Sequence, residues 1–170
     1  MQTLTRCWAA LAVLGAALVH LAVGAGAPLA PLIVLVTLSL AELAWAVCAF
    51  VLDRLPLARW ALALLLTPVF GWALLLTVGV VSHGSLPWLP PALPMAVASL
   101  LSLVASAMLA ARIRRSGTRT GVPGTNGKAG RFVAGIAAGS FIVAALVTPA
   151  LAATQAGEHA VPHGESGSHH

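Results

Sequence analysis

Charged residues are scarce in this sequence. They make up 8% of its 170 residues, whereas a soluble domain carries roughly 25%. So little polar surface cannot coat a water-facing globule. The net charge of +5 does not indicate a nucleic-acid partner either, because the basic residues flank apolar segments and have no aromatic residues among them. The composition predicts a protein of the lipid bilayer that binds no nucleic acid.

Cysteine is also scarce, and the motifs of metal and redox enzymes are missing. Cys7 and Cys48 are the two cysteines and they form no CxxC pair, so neither a zinc knuckle nor a thiol redox motif is indicated. The sequence contains no HExxH motif, no nucleophile–base pair and no cofactor motif. We therefore expect a protein that is not an enzyme.

Long apolar segments recur along the chain. Each is close to the 20 or so residues that cross the hydrocarbon layer as a helix, and helix is the expected form because lipid cannot satisfy backbone groups. The predicted fold is an all-α polytopic membrane bundle over residues 1–153, followed by a flexible, histidine-rich external tail over 154–170. The predicted spans are about 4–24, 31–52, 57–81, 94–113 and 131–153.

The basic residues predict the orientation of the bundle, since Lys and Arg concentrate in cytoplasmic connections. The connections after the first and third spans contain no Lys or Arg, and neither does the segment after Ala153. An odd number of spans with a cytoplasmic N-terminus fits this pattern. Eight of the nine basic residues are Arg, which together with abundant Ala, Val, Leu and Gly favours a bacterial plasma membrane protein. The nine are Arg6, Arg54, Arg59, Arg112, Arg114, Arg115, Arg119, Lys128 and Arg131.

Two segments resemble signal peptides. Residues 1–28 combine a short basic start, an apolar stretch and small residues near the end, and the fifth span ends in an Ala-x-Ala pattern before Ala153. We expect the first to be retained, because its apolar stretch is long and contains His20. We expect the second to be an anchor helix, with cleavage at its end as the alternative.

Small residues predict the packing faces of two helices. Gly135 and Gly139 form a GxxxG pair in the fifth span, and Ser99, Ser102 and Ser106 share one face of the fourth. Such residues let helices approach closely in lipid. Packing within one bundle is the expectation, and a homo-oligomer or a membrane-protein partner is the alternative.

Glu42, near the middle of the second span, is the most unusual single residue. A charged group at the bilayer centre costs about 2.5–3.5 kcal/mol on insertion scales and normally faces a protein interior. Ser39, Ala46 and Ala49 share its face, which predicts that this face packs inward. His20 lies in the outer part of the first span. A rise of 1.5 Å per residue predicts a gap of roughly 10 Å between His20 and Glu42, so the two are expected to line one path without touching.

The remaining histidines concentrate on the predicted outer side. Imidazole binds copper and zinc well, and carboxylates can complete such a site. A short flexible tail can therefore capture a metal ion, although the ordering entropy opposes binding; a solvated tail without a ligand is the alternative. The candidate ligands are His83, Glu158, His159, His163, Glu165, His169 and His170.

Three function classes follow from these features. The first is a membrane protein of copper or zinc handling, in which the tail captures the metal and His20 and Glu42 extend the path inward. The second is a non-catalytic accessory or assembly subunit of a membrane complex. The third is a small proton- or cation-coupled transporter centred on Glu42. Five spans are few for a complete transporter, and no inverted repeat is visible.

Overall fold

The computed structural model describes residues 2–52, 57–82, 88–116 and 129–158. Within these ranges every element of regular secondary structure is a helix. The helices are α1 (Gln2–Ala25), α2 (Leu29–Val51), α3 (Ala58–Val81), α4 (Ala92–Ser116), α5 (Ala129–Ala152) and the short α6 (Gln155–Glu158). The segment 154–170, predicted to be flexible, thus begins with a helical turn.

The five long helices are each long and apolar enough to cross a membrane. Their most apolar windows have a mean hydropathy of 2.0 to 2.2. Helix α4 begins two residues earlier and ends three residues later than expected, because its polar C-terminal turn continues the helix beyond the apolar stretch. The predicted all-α polytopic membrane bundle is confirmed.

Helix α1 lies at the centre of the bundle. Two thirds of its apolar window is buried, against 11% to 44% for the other four long helices. It contacts α2, α4 and α5, and the residues that allow this close approach are small. Ala9, Ala10, Ala12, Ala16 and Ala17 are all at most 4% exposed, as expected where helices associate through van der Waals contact in lipid.

The first four helices are arranged in a ring, in which α2 and α3 make the smallest contact. Contacts join α1 to α2, α2 to α3, α3 to α4 and α4 to α1. Helix α5 lies outside this ring, against α1 and α4. Leu65 and Trp72 of α3 are buried in the shared interior, whereas large apolar side chains such as Phe70 and Phe141 remain exposed. These exposed side chains form the surface that lipid covers.

The two ends of the bundle differ in chemistry. At one end, here called the Arg6 end, the guanidinium of Arg6 is buried and its Nη1 donates to the carbonyl oxygen of Leu52 at 2.9 Å. Arg112 of α4 lies close to it. At the opposite end, here called the turn end, α6 packs against the α1–α2 turn, where Gln155 contacts Gly26.

Candidate functional site

His20 of α1 and Glu42 of α2 form a buried polar pair inside the bundle. Nδ1 of His20 lies 2.8 Å from Oε2 of Glu42. The two side chains are 1% and 0% exposed. A hydrogen bond of this length between a ring nitrogen and a carboxyl oxygen is strong when either group is charged. The pair is therefore a single chemical unit inside the bundle.

The expected gap of roughly 10 Å between these residues is wrong. Ser39 of α2 pairs with Ala17 of α1, so α2 sits further toward the turn end than equal arms of a hairpin would place it. In addition, side chains on a helix tilt toward its N-terminus. The two helices are antiparallel, so the side chain of His20 tilts toward Glu42 while that of Glu42 tilts toward His20. Register and tilt together close the gap.

Close contact between α1 and α2 holds the pair in place. The hydroxyl of Ser39, one turn from Glu42, donates to the backbone carbonyl oxygen of Ala17. Gly24 lies against Leu35, at a distance that leaves little room for a side chain at position 24. The predicted inward face of α2 is observed, because Ser39, Glu42, Ala46 and Ala49 are all buried.

One atom of each partner has no hydrogen bond within the described part of the chain. These atoms are Nε2 of His20 and Oε1 of Glu42, and both are inaccessible to solvent. The contact itself needs one proton, carried by Nδ1 or by the carboxyl group. Nε2 and Oε1 can each take up another proton or interact with a ligand. The pair can thus change its charge without losing the 2.8 Å contact.

Helix α4 contributes two further buried polar groups. Ser102 and Ser106 are 0% and 6% exposed, and their hydroxyl oxygens have no hydrogen-bond partner among the described residues. Ser99, on the same predicted face, is only half-buried. Two of the three serines predicted to pack between helices are therefore fully inside the bundle.

The GxxxG face of α5 packs against α1. Gly135 lies against Leu4, and Gly139 lies against the indole ring of Trp8. Nε1 of Trp8 donates to the carbonyl oxygen of Gly135 at 3.0 Å. The GxxxG face of α5 is thus covered by α1 of the same chain.

The predicted metal ligands fall outside what the structure describes. His83, His159, His163, Glu165, His169 and His170 lie outside the described ranges, and Glu158 contributes only its helical backbone to α6. Within residues 2–52, 57–82, 88–116 and 129–158, no group of three or more His, Cys, Asp or Glu side chains could hold a metal ion.

The buried position of Arg6 was not predicted from the sequence. The positive-inside rule treats this residue as a topological marker, but its side chain is 8% exposed and bonds to the backbone at the end of α2. Its place one turn inside a very apolar helix is the only signal in the sequence.

No protein-family model, no curated protein and no solved structure matches this chain.

Proposed function

We propose that this chain is a small proton- or cation-coupled transport protein of the bacterial plasma membrane, with His20 and Glu42 as its binding site. The observation that carries the proposal is the 2.8 Å contact between two fully buried ionisable side chains. Ionisable groups inside a membrane are expensive and mark ion pathways or proton relays. In this proposal the N-terminus faces the cytoplasm, as the basic residues indicate.

The two atoms of the pair that lack hydrogen-bond partners support proton binding in particular. A structural role is served by a neutral hydrogen bond in which every polar atom is satisfied. Here Nε2 of His20 and Oε1 of Glu42 lack partners in the described chain, which leaves positions where a proton can arrive and leave.

Infrared difference spectroscopy tests the proposal directly. The protein is reconstituted in liposomes and its spectrum is compared between acid and alkaline pH. We expect a carboxyl C=O band that appears and disappears with pH, that is lost in Glu42→Gln and that shifts in His20→Gln. Thr37→Val, at an exposed site on α2, is the matched control and should keep the wild-type band. A wild-type difference spectrum that is unchanged by Glu42→Gln would remove the proton site.

A flux measurement then separates binding from transport. Proteoliposomes with an entrapped pH dye receive a potassium diffusion potential in the presence of valinomycin. We expect proton uptake above that of empty liposomes, and we expect it to be lost in Glu42→Gln and kept in Thr37→Val. Proton flux equal to that of empty liposomes, together with a pH-dependent carboxyl band, would show that the pair binds a proton. It would also show that the protein does not transport protons when no second substrate is present.

Metal handling is the second candidate, and one observation favours it. Metal-binding histidines commonly donate a hydrogen bond from one ring N–H to a carboxylate and bind the metal through the other ring nitrogen. His20 has this arrangement, because Nδ1 contacts Glu42 while Nε2 has no partner in the described chain. In addition, α6 packs beside the α1–α2 turn, so the histidine-rich segment begins at the end of the bundle nearer His20.

Copper and zinc binding to the purified protein tests this candidate. The full chain is compared with a chain that ends at Gly157 and with His20→Gln. Binding that truncation abolishes would place capture in the tail, and binding that survives truncation but fails in His20→Gln would place it in the bundle. If none of the three proteins binds metal, metal handling is rejected. If the carboxyl band is also absent, the accessory-subunit function is the remaining hypothesis.

A further inference from the structure

We propose that Ser102 and Ser106 line a hydrated proton path that connects Glu42 to the Arg6 end of the bundle. This inference rests on the proposed proton site and names the route and the carrier, which is a chain of water molecules. Its basis is a set of four polar atoms of the described interior, on three different helices, that are inaccessible and lack hydrogen-bond partners. They are His20 Nε2, Glu42 Oε1, Ser102 Oγ and Ser106 Oγ.

The depths of these groups in the bundle support a common path. Gly15 of α1 lies against Leu101 of α4, so Ser102 is level with Gly15. Ala17 pairs with Ser39, and Glu42 is three residues beyond Ser39, or about 4.5 Å nearer the Arg6 end. Glu42 is therefore also roughly level with Gly15, and thus with Ser102.

Ser106 continues the path in one direction. It lies four residues after Ser102 on α4, which is about 6 Å nearer the Arg6 end. His20 lies on the opposite side of Glu42, toward the turn end. The polar groups thus run in the order His20, Glu42 with Ser102, and Ser106 along the axis of the bundle.

In the proposed path, these groups share the interior of the ring of four helices. Glu42 on α2 and Ser102 on α4 are both fully buried and lie on helices that face each other across the ring formed by α1–α4. Neighbouring helices pack about 8–10 Å apart, so a diagonal of such a ring measures about 11–14 Å between axes. A glutamate side chain, one or two water molecules and a serine hydroxyl span this distance.

The chemistry of the four atoms favours water over a bare metal cation. A metal cation needs several acceptors around it, and two of the four groups are hydroxyls that can also donate. Buried water molecules typically make about three hydrogen bonds to buried polar groups that lack other partners. A buried polar group without a partner is destabilising, so water molecules that bond to Ser102 and Ser106 would stabilise the bundle.

The test is the rate at which Glu42 exchanges its proton from each side of the membrane. Proteoliposomes of uniform orientation receive a pH jump on one side, and the carboxyl band of Glu42 is followed in time. We expect Ser102→Ala/Ser106→Ala to slow the response from the Arg6 side by about tenfold or more, equivalent to roughly 1.4 kcal/mol in the barrier. The response from the turn side and the final amplitude should stay at their wild-type values.

Controls keep the result specific. Ser99→Ala, on the same helix but half-buried, and the exposed Ser140→Ala should respond at the wild-type rate from both sides. Ser106→Cys retains the size of the side chain and a weak donor, so it provides a second variant if the double alanine variant does not fold. Wild-type rates in the serine variants, or equal slowing from both sides, would overturn the path. If the wild-type protein has no carboxyl band that Glu42→Gln removes, the proton site itself is rejected.

Discussion

Trp8 on the first transmembrane helix donates a hydrogen bond from its indole nitrogen to the backbone carbonyl oxygen of Gly135 on the last, at 3.0 Å. The same indole ring covers Gly139, one turn further along α5. Glycine at both positions lets the bulky side chain lie flat against the backbone of α5. A face whose sequence motif is typical of helix dimers is thus occupied by a tryptophan of the same chain.

Replacement of Gly139 by alanine should destabilise the folded chain. A Cβ at this position would lie 2.9 Å from Cε2 of Trp8, and overpacking of this kind costs about 1–3 kcal/mol. Gly71→Ala is the matched control, because a Cβ there meets no described atom within 4 Å. The control should be neutral or stabilising by up to about 1 kcal/mol. Thermal unfolding in detergent measures both, and equal melting temperatures would contradict the assigned packing.

The His20–Glu42 contact should show a measurable coupling energy. Polar pairs in membrane proteins average about 0.6 kcal/mol in double-mutant cycles, with a maximum of about 1.7. This pair is fully buried and lies at 2.8 Å, so we expect about 1–2 kcal/mol. The cycle combines His20→Leu, Glu42→Leu and the double variant, with unfolding free energies measured in mixed micelles. Additive effects of the two substitutions would show that the residues do not interact.

Ser39→Ala should weaken the packing of α1 against α2. The variant removes the hydroxyl that donates to the carbonyl of Ala17, and the expected loss is about 0.5–1.5 kcal/mol. Thr37→Val is the control on the same helix, because the hydroxyl of Thr37 is exposed and bonds only within α2. A destabilisation by Thr37→Val as large as that by Ser39→Ala would indicate an effect of helix propensity instead of an interhelical bond.

Cysteine labelling should report a cytoplasmic N-terminus. In a background with Cys7→Ala and Cys48→Ala, single cysteines are placed at Ala27, in the α1–α2 turn, and at Leu57, which is exposed beside the start of α3. We expect a membrane-impermeant maleimide added to intact bacterial cells to label Ala27→Cys and to spare Leu57→Cys until the membrane is opened. The reverse pattern would invert the topology and place the proposed serine path on the outer side.

The helices themselves could be predicted from the sequence because their cause is local. Runs of about 20 apolar residues leave few alternatives to a spanning helix. The inward face of α2 could be predicted equally well, because a glutamate in mid-span must face away from lipid. Ser39, Ala46 and Ala49 lie on the same face of the helix and are buried with it. These are properties of single segments.

The contact between His20 and Glu42 could not be predicted because it depends on how two helices are placed relative to each other. A shift of a few residues in register changes the separation by several ångströms, and hydropathy does not fix that shift. The bond between Trp8 and Gly135 spans 127 positions, so no local pattern contains it. The geometry between helices is set by the packing of their side chains, and this packing cannot be predicted from the sequence of one segment.

The central position of α1 has a consequence for biogenesis. This helix is synthesised before the other four long helices described, yet two of the three long helices that it contacts, α4 and α5, follow only after α2 and α3. Only α2 follows at once, and it brings Glu42 to the imidazole of His20 on α1. We infer that α1 and α2 enter the membrane together as a paired hairpin, and that α3, α4 and α5 then pack around this polar contact.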